Sequence, residues 1–148
     1  MRRAGAALVV GLMAIGAAAS PAAAHGYRLG AITIGHFRAG PVKPGATAIG
    51  VYGPLLNNGK TADVLVAATT PIAAKTRFRI KKGGPARWLD SVAVPAGSPV
   101  ILARWRQHLW LTGLKRPLEA GTSFPLTLVF RHAGRITIQV VVGREGTH

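Results

Sequence analysis

The chain has 148 residues, a formal charge of +15, and only four acidic side chains, Asp63, Asp90, Glu119 and Glu145. It has no cysteine, which excludes disulfides and thiolate chemistry. The four carboxylates are too scattered for a paired acid–base site. Ser91, Ser98 and Ser123 lie outside any nucleophile-elbow context, and no glycine-rich phosphate loop opens a helix, so the chain reads as a binding protein and not an enzyme.

Met1-Arg2-Arg3 precedes an apolar run from Ala4 to Ala19, which Ser20-Pro21 interrupts before Ala22-Ala23-Ala24. A charged start, a short apolar core and an A-x-A exit are the three parts of a secretory signal peptide, here residues 1–24. The run falls short of the ~20 apolar residues that a spanning helix needs, and the alternative to cleavage is an uncleaved N-terminal anchor. Cleavage after Ala24 is expected to leave one domain, residues 25–148, with His25 at its N-terminus. That domain would be periplasmic or secreted, with no transmembrane segment beyond the signal. Losing Arg2 and Arg3 would lower the charge to +13. Such a field draws anionic partners: lipid headgroups, acidic glycans or an acidic protein. Export, and the lack of a nucleic-acid motif, argue against nucleic acid.

After the signal, short strands alternate with turn signals. Ile32 and Ile34 mark the first strand, and Pro41 and Pro44-Gly45 a loop. Thr47 to Leu56 is a strand, Asn57-Asn58-Gly59-Lys60 a turn suited to positive φ, and Asp63 to Ala67 the returning strand of an expected hairpin. In Thr76–Lys81, Phe78 and Ile80 face one side while Arg77, Arg79 and Lys81 face the other, the pattern of a half-exposed strand with a solvated basic face. Asp90–Val94, Val100–Trp105, Phe124–Phe130 and Ile136–Val142 follow, with Pro95-Ala-Gly97 and His132-Ala-Gly134 as turns. No long amphipathic helix and no internal repeat is present. The pattern predicts an all-β, antiparallel sandwich or barrel.

The stretch Arg104–Leu118 holds two of the three tryptophans and reads as a strand through Leu111 with a turn at Thr112-Gly113. Leu111-Thr-Gly-Leu-Lys-Arg-Pro-Leu118, followed by Glu119-Ala-Gly121 and Phe124-Pro-Leu-Thr-Leu128, resembles the periplasmic copper chaperones of the PCu(A)C type. Ala24-His25, Ile34-Gly-His36, Lys43-Pro-Gly-Ala46, and Tyr52 with Asn57–Gly59 fit the same outline. The resemblance implies a Greek-key, cupredoxin-like sandwich and a Cu(I) site of two histidines and two methionines. It places a His-x-Met pair where this chain has His108-Leu109-Trp110. It places a further histidine after Pro71-Ile-Ala73, near Arg79 or Lys75, and a methionine near Ala86. Of these four ligands His108 alone is present.

Met1 and Met13 are the only methionines, and both lie in the signal segment. A processed chain would therefore lack every thioether and thiolate that Cu(I) prefers. His108 then reads as a strand histidine that needs a hydrogen-bond partner, and Trp110 as a space filler. A second candidate is His25: as a new N-terminus its α-amine and imidazole form a Cu(II) chelate, which His36 can join if the first strand folds back. The metal candidates are thus His108, His25 and His36, with Cu(II) favoured over Cu(I). Two functions remain open. One is an exported copper-chaperone-like protein that delivers to a cuproprotein. The other is a metal-free module that binds an acidic partner or a membrane surface through its basic face.

Overall fold

Period-two alternation governs this chain, and strands result almost everywhere. The structure is a computed structural model and describes residues 26–144. The expected signal segment, His25 and His148 lie outside the described residues. Twelve strands are present: β1 (Tyr27–Leu29), β2 (Ile32–Ile34), β3 (Phe37–Ala39), β4 (Ala48–Asn57), β5 (Asp63–Thr69), β6 (Ala73–Ile80), β7 (Arg87–Leu89), β8 (Val92–Val94), β9 (Pro99–Leu102), β10 (Gln107–Leu114), β11 (Ser123–Phe130) and β12 (Gly134–Val142). Among the described residues no helix is long and apolar enough to cross a membrane.

The main path of paired strands runs β7-β6-β10-β4-β3-β12-β11-β5-β8. The ten-residue β4 belongs to two sheets. Its first half pairs with β10 and β3, and its second half with β9 and β2. The named strands pair antiparallel except β3 with β12, which run parallel. The result is a sandwich that closes nearly into a barrel.

Its interior is the apolar half of each alternation. Phe124, Leu126, Leu128 and Phe130 of β11 meet Ile138, Val140 and Val142 of β12, with Val51, Leu109 and Leu111 from the opposite side, all buried. Fully burying one such side chain is worth ~1.5–3 kcal/mol. With no disulfide in the chain, this packing carries the fold.

The expected hairpin between 47–56 and 63–67 does not form. β5 pairs with β11 and β8, and β4 lies elsewhere in the path. The turn itself steers the chain away. Buried Asn57 donates from Nδ2 to the carbonyls of Thr61 and Val94 and accepts from Gly59 N–H, while Asn58 donates to Ala31 O and Thr33 Oγ1. These bonds pin residues 57–61 between β2 and β8, so the chain crosses to the other layer. The turn expected at Thr112-Gly113 is also absent. β10 runs through to Leu114, and Gly113 takes φ +63° as an irregularity against β6, where a Cβ would stand 2.7 Å from that of Ala74.

Asp63 is the buried acid of the fold, 5% exposed, and it fastens the β11–β12 turn to the start of β5. Its carboxylate accepts N–H bonds from Val64 (2.7 Å), His132 (3.0 Å) and Ala133 (2.9 Å). Burial alone would raise its pKa, but these three donors and the nearby His132 outweigh it, and the pKa falls below the usual carboxylate value. Asp63→Ala should cost ~2–3 kcal/mol in urea unfolding, because two turn N–H groups lose a charged acceptor. A depressed folded pKa means that this stabilisation is complete above the unfolded value of ~3.9 and is lost as pH falls through the folded one. In the variant, that acid-side loss should shrink.

Candidate functional site

The register of β6 against β10 decides which side chains meet. His108 lies opposite Arg79 and Trp110 opposite Arg77, while β7 sets Trp88 on the other side of Arg79. Directly opposed residues share a face, so these five side chains, with Tyr52 from β4, crowd the outer face of the sheet.

His108 is completely buried there, and both ring nitrogens are in use. Nδ1–H donates to the carbonyls of Ala103 (3.1 Å) and Arg106 (2.9 Å), the two ends of the turn that closes over the ring. Nε2 accepts from Arg79 Nε–H at 2.9 Å. Since an arginine has no lone pair to offer, Nε2 must be the acceptor and the ring is the neutral Nδ1–H tautomer. Burial lowers the pKa of His108, and the Arg79 charge lowers it further, against the pull of the Arg106 and Ala103 carbonyls.

The arginines are held as firmly as the histidine. The Arg79 guanidinium lies 3.5 Å from the centroid of the Trp110 ring, and that of Arg77 3.6 Å from the Trp88 ring. Tyr52 tilts against His108 with ring centroids 5.3 Å apart, and Trp110 stands edge-on to it at 6.4 Å. The Tyr52 hydroxyl lies over Gly50 in the space a Cβ would occupy, so only glycine lets the phenol lie along the strand. The expected solvated basic face is therefore corrected. Arg77 and Arg79 are half-buried in aromatic stacks, and of the three only Lys81 is fully exposed. Trp110, expected as core filler, lies half-buried on the outer face beneath Arg79.

These residues do not fit a Cu(I) ion. The Nε2 lone pair that a metal would need already accepts a hydrogen bond from a cation, and no thioether or thiolate is near. Arg79 stands directly opposite His108, one of the two positions where the family outline places a second histidine. The Arg79 guanidinium thus contacts both His108 and Trp110.

Among the described residues the hydrogen bonds of the His108 ring run to Arg79, Ala103 and Arg106, and to neither of the other two candidates. His36 is exposed just beyond β2. His25 lies outside the described residues, but the residue after it does not. β1 folds back antiparallel on β2, with Tyr27 opposite Ile34. Gly26, at φ +67°, lies so close to the Ile34 carbonyl that no Cβ would fit, and it also packs on Gly35. The chain thus enters the fold beside Gly35 and His36. Among the described residues no three His, Asp or Glu side chains converge on one point.

Comparison with known proteins gives a consistent picture. The family model described as "Putative lipoprotein LpqE-like" matches residues 31–142. The protein named "Putative lipoprotein Lxx21020", from Leifsonia xyli subsp. xyli, is 30% identical over 103 residues, covering 66% of this chain and 62% of that relative. This chain therefore spans about three fifths of that relative's length. A copper-bound PCuAC domain from PmoF2 superposes with a TM-score of 0.74 at 26% identity, covering 81% of this chain and 98% of the other. The solution structure of Cu(I)-DR1885 from Deinococcus radiodurans superposes at 0.66 and 22% identity, covering 84% and 85%. The fold is the all-β, cupredoxin-like one that the residue pattern and resemblance led us to expect.

Proposed function

Since the chain belongs to the LpqE-like family and is built like PCuAC copper chaperone domains, we propose that it is an exported, non-catalytic, copper-chaperone-like protein. Its cargo site is the N-terminal hairpin and not His108. The lipoprotein names of its family and relative support an exported or membrane-associated protein, and the copper-bound neighbour supports copper as the cargo class. The carrying observation is the fold-back of β1, which brings the residue after His25 against Gly35, next to His36. In this reading the α-amine and imidazole of His25 and the imidazole of His36 hold Cu(II) as nitrogen donors of borderline softness. The partner class is a cuproprotein that accepts the ion.

The second reading is a metal-free module, favoured by the Arg79–His108 bond at the position the family outline gives to Cu(I). One experiment separates the two. Protein processed in its native host is N-terminally sequenced to fix the cleavage point and then titrated with Cu(II) and Cu(I) separately. Tight 1:1 Cu(II) binding with no tight Cu(I) binding is expected. Tight Cu(I) binding lost in His108→Ala would overturn the closed site. Absence of Cu(II) binding by a chain that starts at His25 would leave the metal-free module as the function.

A further inference from the structure

A second feature lies at the end of the sheet where β10 begins. Ala103 O accepts from Arg106 N–H, closing a tight turn whose exposed tip is Arg104-Trp105-Arg106. Trp105 is 70% exposed, and Ile101 on the adjoining β9 is 43% exposed. Both border an open groove of about 670 Å³ walled by Ile80, Pro95 and Pro99, with Lys82 and Arg106 at its rim and no acidic residue in its lining. Because Gln107 pairs with Ile80, the Lys81-Lys82 connection comes to the same end. A protruding indole and an exposed isoleucine are therefore set among four cations.

We propose that this end of the molecule docks on bilayer surfaces rich in anionic lipid headgroups, with Trp105 inserted at the headgroup level and Arg104, Arg106, Lys81 and Lys82 against the phosphates. The chemistry of the patch selects this occupant. Indole rings prefer the membrane–water boundary, and clustered Lys and Arg are drawn to a negatively charged leaflet. The groove also lies beside two strand edges, since among the described strands β9 pairs only with β4 and β8 only with β5. Capture of an extended acidic peptide by strand addition is less well served there. Pro99 opens β9 and Pro95 follows β8, and a proline has no N–H to offer an added strand. This docking is independent of copper, so the two fail separately.

The test is co-sedimentation with phosphatidylcholine vesicles containing 30% phosphatidylglycerol, and with pure phosphatidylcholine vesicles, while tryptophan emission is followed. Binding to the anionic vesicles only, with a blue shift, is expected, weakening as salt rises because exposed charges are screened within ~8 Å at physiological ionic strength. Trp105→Ala should lose the shift and about tenfold in partitioning, the order expected when one large aromatic no longer leaves water. Arg104→Glu with Arg106→Glu should lose at least about 25-fold, at roughly fivefold per cation removed from the surface. The control is Lys43→Glu with Lys115→Glu, which changes the net charge equally at the far end of β10 and should bind nearly as the parent does. Equal loss in both double variants would reduce the effect to net charge and overturn the docking face. No binding to anionic vesicles at low salt would overturn it too. So would equally tight binding of a polyglutamate peptide without the emission shift, which would assign the patch to a protein partner. Trp105, Arg104 and Arg106 are exposed, so circular dichroism should show every variant folded.

Discussion

His108→Ala should destabilise the protein by about 3–4 kcal/mol in urea unfolding and leave Cu(I) binding as weak as before. The side chain removed is 0% exposed. Its loss opens a cavity, removes the imidazole donor from the Arg106 carbonyl and one of two donors from that of Ala103, and leaves the half-buried Arg79 Nε–H without its acceptor. Each buried polar group left unsatisfied costs ~1–3 kcal/mol. His108→Gln, which can still accept from Arg79, should recover part of the loss. A metal-ligand histidine would behave in the opposite way, with a small stability change and a collapse of Cu(I) affinity.

The pH dependence follows from the same geometry. The folded pKa of His108 lies below its ordinary value, chiefly through burial and secondarily through Arg79. The folded state therefore favours the neutral ring. The contribution of His108 is complete above the unfolded pKa of ~6.5 and is lost as pH falls through the folded value. Parent stability should decline on acidification below about 6.5, and His108→Gln should flatten that part of the curve. An unchanged slope would mean that the folded pKa of His108 is not lowered, against the burial and the Arg79 contact.

The second large effect concerns the N-terminus. A chain that starts at His25 should lose roughly 10²–10⁴ in Cu(II) affinity when one Met is added before it, because a multidentate site loses a linked donor. The added residue moves the free α-amine away from the His25 imidazole and puts an amide in its place. His36→Ala should weaken Cu(II) by a smaller factor, and His108→Ala should not alter it. Protons compete for the same nitrogens, with an α-amine pKa of ~7.7–8.0 and an imidazole pKa of ~6.5, so affinity should fall steadily from pH 8 to pH 5. Equal affinity in processed and Met-extended protein would remove the terminal chelate, and with it the copper reading of this chain.

Much of this could be read from composition and alternation. Phe78 and Ile80 against Arg77 and Arg79, and the runs Phe124–Phe130 and Ile136–Val142, set strands and faces because side chains on a strand alternate whatever their neighbours are. The absence of Met and Cys after residue 13 rules out thioether and thiolate ligands in a processed chain from a count alone. Strands of three residues such as β1, β3 and β7 are not legible in the sequence, since a single alternation is too short to distinguish from a turn. Proximity in sequence suggests a hairpin of β4 with β5, whereas the Asn57 side-chain bonds to Thr61 and Val94 redirect the chain.

What composition and alternation settled are properties of each residue and its near neighbours: an all-β chain, strongly basic, without Met or Cys after residue 13. Register is a different kind of quantity. It joins residues far apart in the chain, and a slip of one position would turn a whole face over. Only the folded sheet puts Arg79 opposite His108, so that a guanidinium takes the lone pair a metal would need. Only the return of β1 on β2 brings Gly26 to Gly35, and only the Gln107–Ile80 pairing gathers Trp105 and the lysines at one end. The β6–β10 pairings that set two of these juxtapositions join distant segments and are encoded in no local pattern, whereas the return of β1 on β2 is a tight hairpin across Gly30-Ala31.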